Sequence, residues 1–167
     1  QGPFGYLCFS KTQALSPRGR CSTFDAGGDG IVISEGIVMV ALKRLADAER
    51  DGDRIYAVIK GVGASSDGNA KGLTAPLPAG QLRAMRAAYE SAGWRPDEVG
   101  LIECHATGTP VGDNVEFQSL KTLWGENRSD RRCVIGSVKS NIGHLLTGAG
   151  AAALTKVLFA LNEGILP

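Results

Sequence analysis

Several things are scarce or missing in this chain, and each absence excludes a class of protein. No apolar run approaches the ~18 residues a bilayer-spanning helix needs, and no charged-then-apolar segment looks like a secretory signal. The four cysteines, Cys8, Cys21, Cys104 and Cys133, lie 13, 83 and 29 residues apart, so no Cys-x-x-Cys pair suggests a zinc or redox motif. Disulfide-scaffold density is also lacking, which makes a reducing cytoplasm the expected compartment. Neither sign of charge dominates: 18 Lys+Arg oppose 17 Asp+Glu, for a net charge of +1. That balance gives no basic footprint for nucleic acid and no acidic tail. Histidine is nearly absent, with only His105 and His144.

Glycine is abundant instead. The chain has 23 glycines in 167 residues, about twice the usual ~7% and without a collagen period. With 43% hydrophobic residues, this implies a fold with many tight turns and close backbone approaches. The length suits one domain, yet the chain begins at Gln1 and ends at Pro167, directly after an apolar helical pattern. It reads as a piece of something longer, with a partly open core.

Along the chain, residues 1–30 read as irregular, with a turn at Ser16-Pro17-Arg18-Gly19 and a glycine cluster at Gly27-Gly28-Asp29-Gly30. The cluster lacks the Gly-Lys-Ser/Thr ending of a phosphate-binding loop. Residues 31–33 and 37–42 read as strand buried on both faces, and residues 55–59 as another strand. Between them, Leu45 to Glu49 predicts a helical turn stopped at Asp51-Gly52-Asp53. Residues 64–80 are the most loop-like, and the internal boundary is placed there.

Leu82, Met85, Tyr89 and Ala92 then recur at helical spacing, with Gly93 as the stop. Strands are expected at 99–104 and 133–138. Between them lies a helix with Asp113 as cap and Phe117, Leu120 and Trp124 as its apolar face. An Ala-rich helix over 148–161, apolar nearly all round, is expected to be buried on every side. Strands alternating with helices give an α/β fold with parallel strands.

Both histidines fall directly after a predicted strand, in glycine-rich loops. His105 lies in Glu-Cys-His-Ala-Thr-Gly-Thr-Pro-Val-Gly-Asp, and His144 in Val-Lys-Ser-Asn-Ile-Gly-His. Ligands of open α/β sheets bind outside the carboxyl ends of strands, so the two histidines are placed to face one site. Glu116 is read either as a capping carboxylate three residues after Asp113 or, with Lys139, as a pair orienting the histidines. Lys139 could equally be a surface lysine. Thr107, Gly108 and Thr109 offer hydroxyls and backbone N–H groups to an extended polar ligand, or form a hydroxyl-stabilised turn. Cys104 is adjacent to His105 on a strand, so it points to the opposite face and reads as core.

Four stretches resemble β-ketoacyl synthases, in the right order and spacing. They are Leu-Ser-Pro-Arg-Gly-Arg-Cys-Ser-Thr-Phe-Asp-Ala (15–26) with Asp29-Gly30 and Glu35-Gly36; residues 55–68; the loop from Glu103 to Asp113; and Val138 to His144. The likeness is greatest to modular polyketide synthases and polyunsaturated fatty-acid synthases. It implies a thiolase-like fold, layered α-β-α-β-α and incomplete. Residues 1–68 would end the N-terminal half, 69–80 would connect, and 81–167 would form a truncated C-terminal half.

The resemblance also implies roles. His105, His144, Lys139 and Glu116 would be catalytic, and Thr107 and Thr109 would contact a phosphopantetheine arm. The implied activity is that of an acyltransferase: decarboxylative Claisen condensation between an acyl-enzyme thioester and a malonyl-type extender on acyl carrier protein. No cofactor or metal is expected to be bound, because the substrates ride on the carrier's phosphopantetheine. The full protein would be a homodimer without nucleic-acid or membrane partners. None of the four cysteines lies in an Asp-Thr-Ala-Cys-Ser-Ser-type nucleophile motif, so this chain is expected to be inactive alone. Ala106 stands where the family usually has glycine. The alternative is a non-catalytic pairing subunit or a carrier-interaction module; the presence of both histidines argues against the pairing subunit.

Overall fold

A computed structural model describes residues 2–68, 75–125 and 132–166. Part of the expected connecting loop, residues 69–74, lies outside the described residues. Two parallel strands, β1 (Leu101–Glu103) and β2 (Val134–Gly136), pair with Leu101 opposite Val134 and Glu103 opposite Gly136. The pairing extends one residue at each end, through Val134 N–H to the Gly100 carbonyl and Cys104 N–H to the Gly136 carbonyl.

The pleat of β1 decides what packs on each face. Ile102 and the buried Cys104 point one way, into a core with Ala106, Leu120, Met85, Ile135 and Phe24. This core lies beneath α3 (Pro78–Ala92) and α4 (Pro110–Gly125). Glu103 points the other way, as alternation requires, and meets Lys156 of α6 (Ala149–Glu163) at 2.9 Å, with both side chains largely buried. The sheet is therefore covered by α3 and α4 on one face and by α6 on the other. A second small core joins Val138, Leu145 and Ala152 beside α5 (Lys139–Ile142).

The predicted helices form where periodicity placed them. The helical turn at 45 becomes α2 (Leu45–Asp51), closed by Gly52 in the left-handed region, and Gly93 closes α3 in the same way. Four expectations change. Residues 1–30 contain a helix, α1 (Pro3–Lys11), which starts on a proline suited to a first helical turn. Among the described residues, 31–33 join no strand and make isolated parallel bridges, Leu15 to Ile31 and Ile33 to His144. Residues 37–42 and 55–59 form no strand among the described residues, with Ile37 89% and Met39 90% exposed.

A strand needs a hydrogen-bonding neighbour, and local apolar runs cannot supply one. The fourth change concerns α6, which buries Ala149 and Ala152 while Phe159 and Leu161 stay exposed. Its apolar outer side and residues 35–38 border an open apolar groove of about 700 Å³.

Candidate active site

The loop after β1 and the turn around α5 bring the two histidines together. Their ring centroids are 5.3 Å apart, with planes at 84°. Each ring is held through its backbone by a different partner. His105 N–H and Ala106 N–H donate to the two oxygens of Glu116, both at 2.7 Å. His144 N–H donates to the Val32 carbonyl at 2.7 Å, and Ser34 N–H donates to the His144 carbonyl at 3.0 Å. Gly143, at φ 76°, lets the chain pass so close to Val32 that a Cβ would lie 2.7 Å from its carbonyl oxygen.

The His144 tautomer follows from one contact. Leu146 N–H donates to His144 Nδ1 at 2.9 Å, so Nδ1 is the acceptor and the ring proton sits on Nε2. Leu146 holds this contact at φ 53°, which a leucine rarely adopts. Loss of surrounding water pushes the His144 pKa down to about 4, helped by the neighbouring His105 ring and the Lys139 charge. His105 is also lowered, by desolvation and then by Lys139. Both rings are therefore neutral near pH 7, and His144 presents a fixed N–H donor.

Lys139 is 2% exposed. Burial lowers its pKa, against the attraction of Glu103 and Glu116. Glu116 thus uses its oxygens to fix the His105 backbone and acts on Lys139 through space. Ser137, also buried, donates through its hydroxyl to the Ala106 carbonyl at 3.0 Å and ties the two histidine loops together.

Thr107 and Thr109 lie beside the histidines with hydroxyl oxygens 2.9 Å apart. The backbone N–H groups expected to face a ligand are engaged elsewhere. Thr107 N–H donates to Asp113 at 2.8 Å, and Gly108 N–H to the same carboxylate at 3.2 Å. Asp113 therefore sits inside the first turn of α4, where its carboxylate folds back on the loop instead of capping the helix from outside. Its other oxygen accepts Phe24 N–H at 2.7 Å, from 89 residues away. Asp113, Ser137 and the Glu103–Lys156 pair carry positioning work that the sequence pattern did not assign. Only Asp113 had a signal, its spacing from the threonines.

Ala106 is 1% exposed, has no positive φ, and packs its methyl into the core, so the departure from glycine is accommodated. Among the described residues, no thiol is poised for attack at the rings. Burial pushes the Cys104 thiol up to about 12 and raises Cys21 as well.

The site thus sets two converging imidazoles and a buried lysine on a strand–loop–helix frame beside a parallel sheet. Comparison with known proteins gives the family. The family model "Beta-ketoacyl synthase, C-terminal domain" matches residues 56–167, and "Beta-ketoacyl synthase, N-terminal domain" matches residues 1–48. The chain belongs to the β-ketoacyl synthase family and has its thiolase-like fold.

Among curated proteins it is 48% identical, over 166 residues, to a phenolphthiocerol/phthiocerol polyketide synthase of Mycobacterium tuberculosis, covering 99% of this chain and 9% of that protein. It is 45% identical over 153 residues to the mycocerosic acid synthase-like polyketide synthase of Mycolicibacterium smegmatis, covering 92% and 7%. Among solved structures, an oxazolomycin ketosynthase domain from Streptomyces albus superposes with TM-score 0.92 at 44% identity, covering 95% of this chain and 28% of that one. The module 6 ketosynthase of the Bacillus subtilis bacillaene synthase gives TM-score 0.87 at 38% identity, covering 96% and 29%. The chain thus spans less than a tenth of these curated relatives and under a third of these two ketosynthase chains.

Proposed function

We propose that this chain supplies the two-histidine half of a ketosynthase that extends polyketide or fatty-acyl chains by decarboxylative condensation. The observation that carries this reading is the pair of neutral imidazoles 5.3 Å apart, with His144 fixed as an Nε2–H donor. When a malonyl-type thioester loses CO₂, the electron pair moves to the thioester oxygen as an enolate. Donors aimed at that oxygen stabilise the charge as it develops, and each is worth about 2.7–4 kcal/mol of barrier. A neutral imidazole N–H does this without carrying its own charge into the site. The enolate carbon then attacks the acyl-enzyme carbonyl, and the tetrahedral intermediate collapses by breaking its C–S bond, which releases the cysteine as thiolate. His105 and His144 are the proposed catalytic donors, kept neutral by desolvation with the Lys139 charge adding to it.

Glu116 holds His105, while Thr107 and Thr109 receive the phosphopantetheine arm of an acyl carrier protein. The acyl group rides on a cysteine supplied outside these 167 residues. We place the whole protein in the cytoplasm as a homodimer. The test is product formation by the full-length polypeptide from an acyl thioester and malonyl carrier protein. His105→Ala and His144→Ala should each lower condensation by about 10²–10³-fold while the acyl-enzyme still forms. Wild-type condensation by either variant would contradict the assignment.

A further inference from the structure

The glycine cluster at Gly27-Gly28-Asp29-Gly30 has no part in the chemistry above, yet its backbone rests against the threonine loop. Gly30 N–H donates to the Gly108 carbonyl at 3.0 Å. A Cβ on Gly28 would lie 2.9 Å from that same carbonyl oxygen, 3.0 Å from the Ser22 carbonyl oxygen and 3.1 Å from the Asp25 carbonyl oxygen. All three neighbours are backbone, so a methyl group there has no flexible side chain to displace. From the other side, Gly108 sits at φ 75°, and its own Cβ would lie 3.1 Å from both the Gly30 carbonyl oxygen and Ser22 N. Cys21, buried, donates its S–H to the Thr107 carbonyl at 3.3 Å. Two successive carbonyls of the threonine loop are therefore gripped from the 21–30 segment, at Thr107 by Cys21 and at Gly108 by Gly30. The segment is itself anchored, through Asp29 to Ser16 Oγ and Arg18 Nε, both at 2.6 Å.

We propose that Gly28 and Cys21 are positioning residues. Through the Thr107 and Gly108 carbonyls they set where the Thr107 and Thr109 hydroxyls stand, and so how tightly the carrier-linked thioester is held. The inference rests on the reading that these threonines receive the pantetheine arm. It extends that reading to a segment 77 or more positions upstream in sequence.

The test uses the full-length polypeptide, with KM for the carrier-bound thioester and kcat measured separately. Displacement of a binding loop by a fraction of an ångström should raise KM for Gly28→Ala about tenfold and change kcat less than about threefold. Gly27→Ala is the control, because the three atoms nearest its Cβ would be side-chain atoms of Asp25 and Arg18; its KM should match the parent. Combined with Thr107→Val/Thr109→Val, Gly28→Ala should add less than about twofold to a KM already raised, because both changes act on the same contact.

If Gly28→Ala does not fold, Cys21 decides the matter. Cys21→Ala should raise KM, and Cys21→Ser, which keeps a donor, should restore it. A folded Gly28→Ala with parental KM, beside a threonine pair that does raise KM, overturns the positioning role alone. So does parental KM in Cys21→Ala. Parental KM in the threonine pair itself overturns the underlying reading, and the proposal with it.

Discussion

A histidine ring that has shed its water and faces a second ring and a buried ammonium binds a proton poorly. For His144 this lowers the pKa to about 4, whereas an imidazole in an unfolded chain titrates near ~6.5. The sign of the consequence follows from proton counting. As pH falls through the ordinary value, the unfolded chain takes up a proton that the folded chain refuses. Stability is therefore lost as pH drops from about 6.5 toward the folded value, and this group adds no further loss below it. Urea midpoints of the full-length protein measured across that window should fall more steeply than those of His144→Asn; parallel curves would contradict the shift. His105 and His144 were legible in sequence because each lies in a short strand–loop–helix passage whose geometry is local. Leu146 as the partner that fixes the tautomer was not legible, since nothing in its identity announces a positive φ.

Loops and helices are held to one another chiefly by buried carboxylates. Asp113 accepts from Phe24, Thr107 and Gly108 and is itself 7% exposed. Asp113→Ala leaves three N–H groups without their acceptor. Each bond to a charged group contributes about 1.5–3 kcal/mol, so the variant should lose about 3 kcal/mol or more in denaturant titration. A loss below about 1 kcal/mol would show that water replaces the carboxylate. The Asp113–Phe24 contact marks the limit of sequence reading at this scale: Asp113 was read as a helix cap, whereas its carboxylate holds the threonine loop and a third partner from another part of the chain. The same limit explains residues 37–42 and 55–59. Their β-branched composition was read as strand, and none forms there among the described residues, because pairing needs a neighbour distant in sequence. Helix α1 failed for the opposite reason, because Gly2, Pro3 and Gly5 look like turn residues when Pro3 in fact opens the helix.

At the scale of the whole molecule, the packed sheet and helices contrast with apolar surface that stands open. The sheet and its three covering helices hold the histidines, while Ile37, Met39, Leu42, Ile59, Val62, Phe159 and Leu161 stand exposed. Surface of this kind marks an interaction site or an aggregation liability. The 167-residue chain alone should bind a hydrophobic dye and self-associate. Incubated with an acyl thioester donor, it should show no saturable acylation of any one cysteine by mass spectrometry. Dye binding at background, or specific loading of Cys21 or Cys104, would contradict this picture. The abundance of glycine, visible from composition, belongs to this scale too. Three of these glycines, Gly28, Gly108 and Gly143, stand where backbone passes backbone beside the histidine loops.

The account stands on two neutral imidazoles acting as donors. The most direct measurement is a ¹⁵N NMR titration of the histidine side chains in the full-length protein, assigned by the His105→Ala and His144→Ala spectra. His144 should show an unprotonated Nδ1 and a protonated Nε2 at pH 6, with no imidazolium signal until the pH approaches about 4. An imidazolium at pH 6, or a proton on Nδ1, would contradict the account.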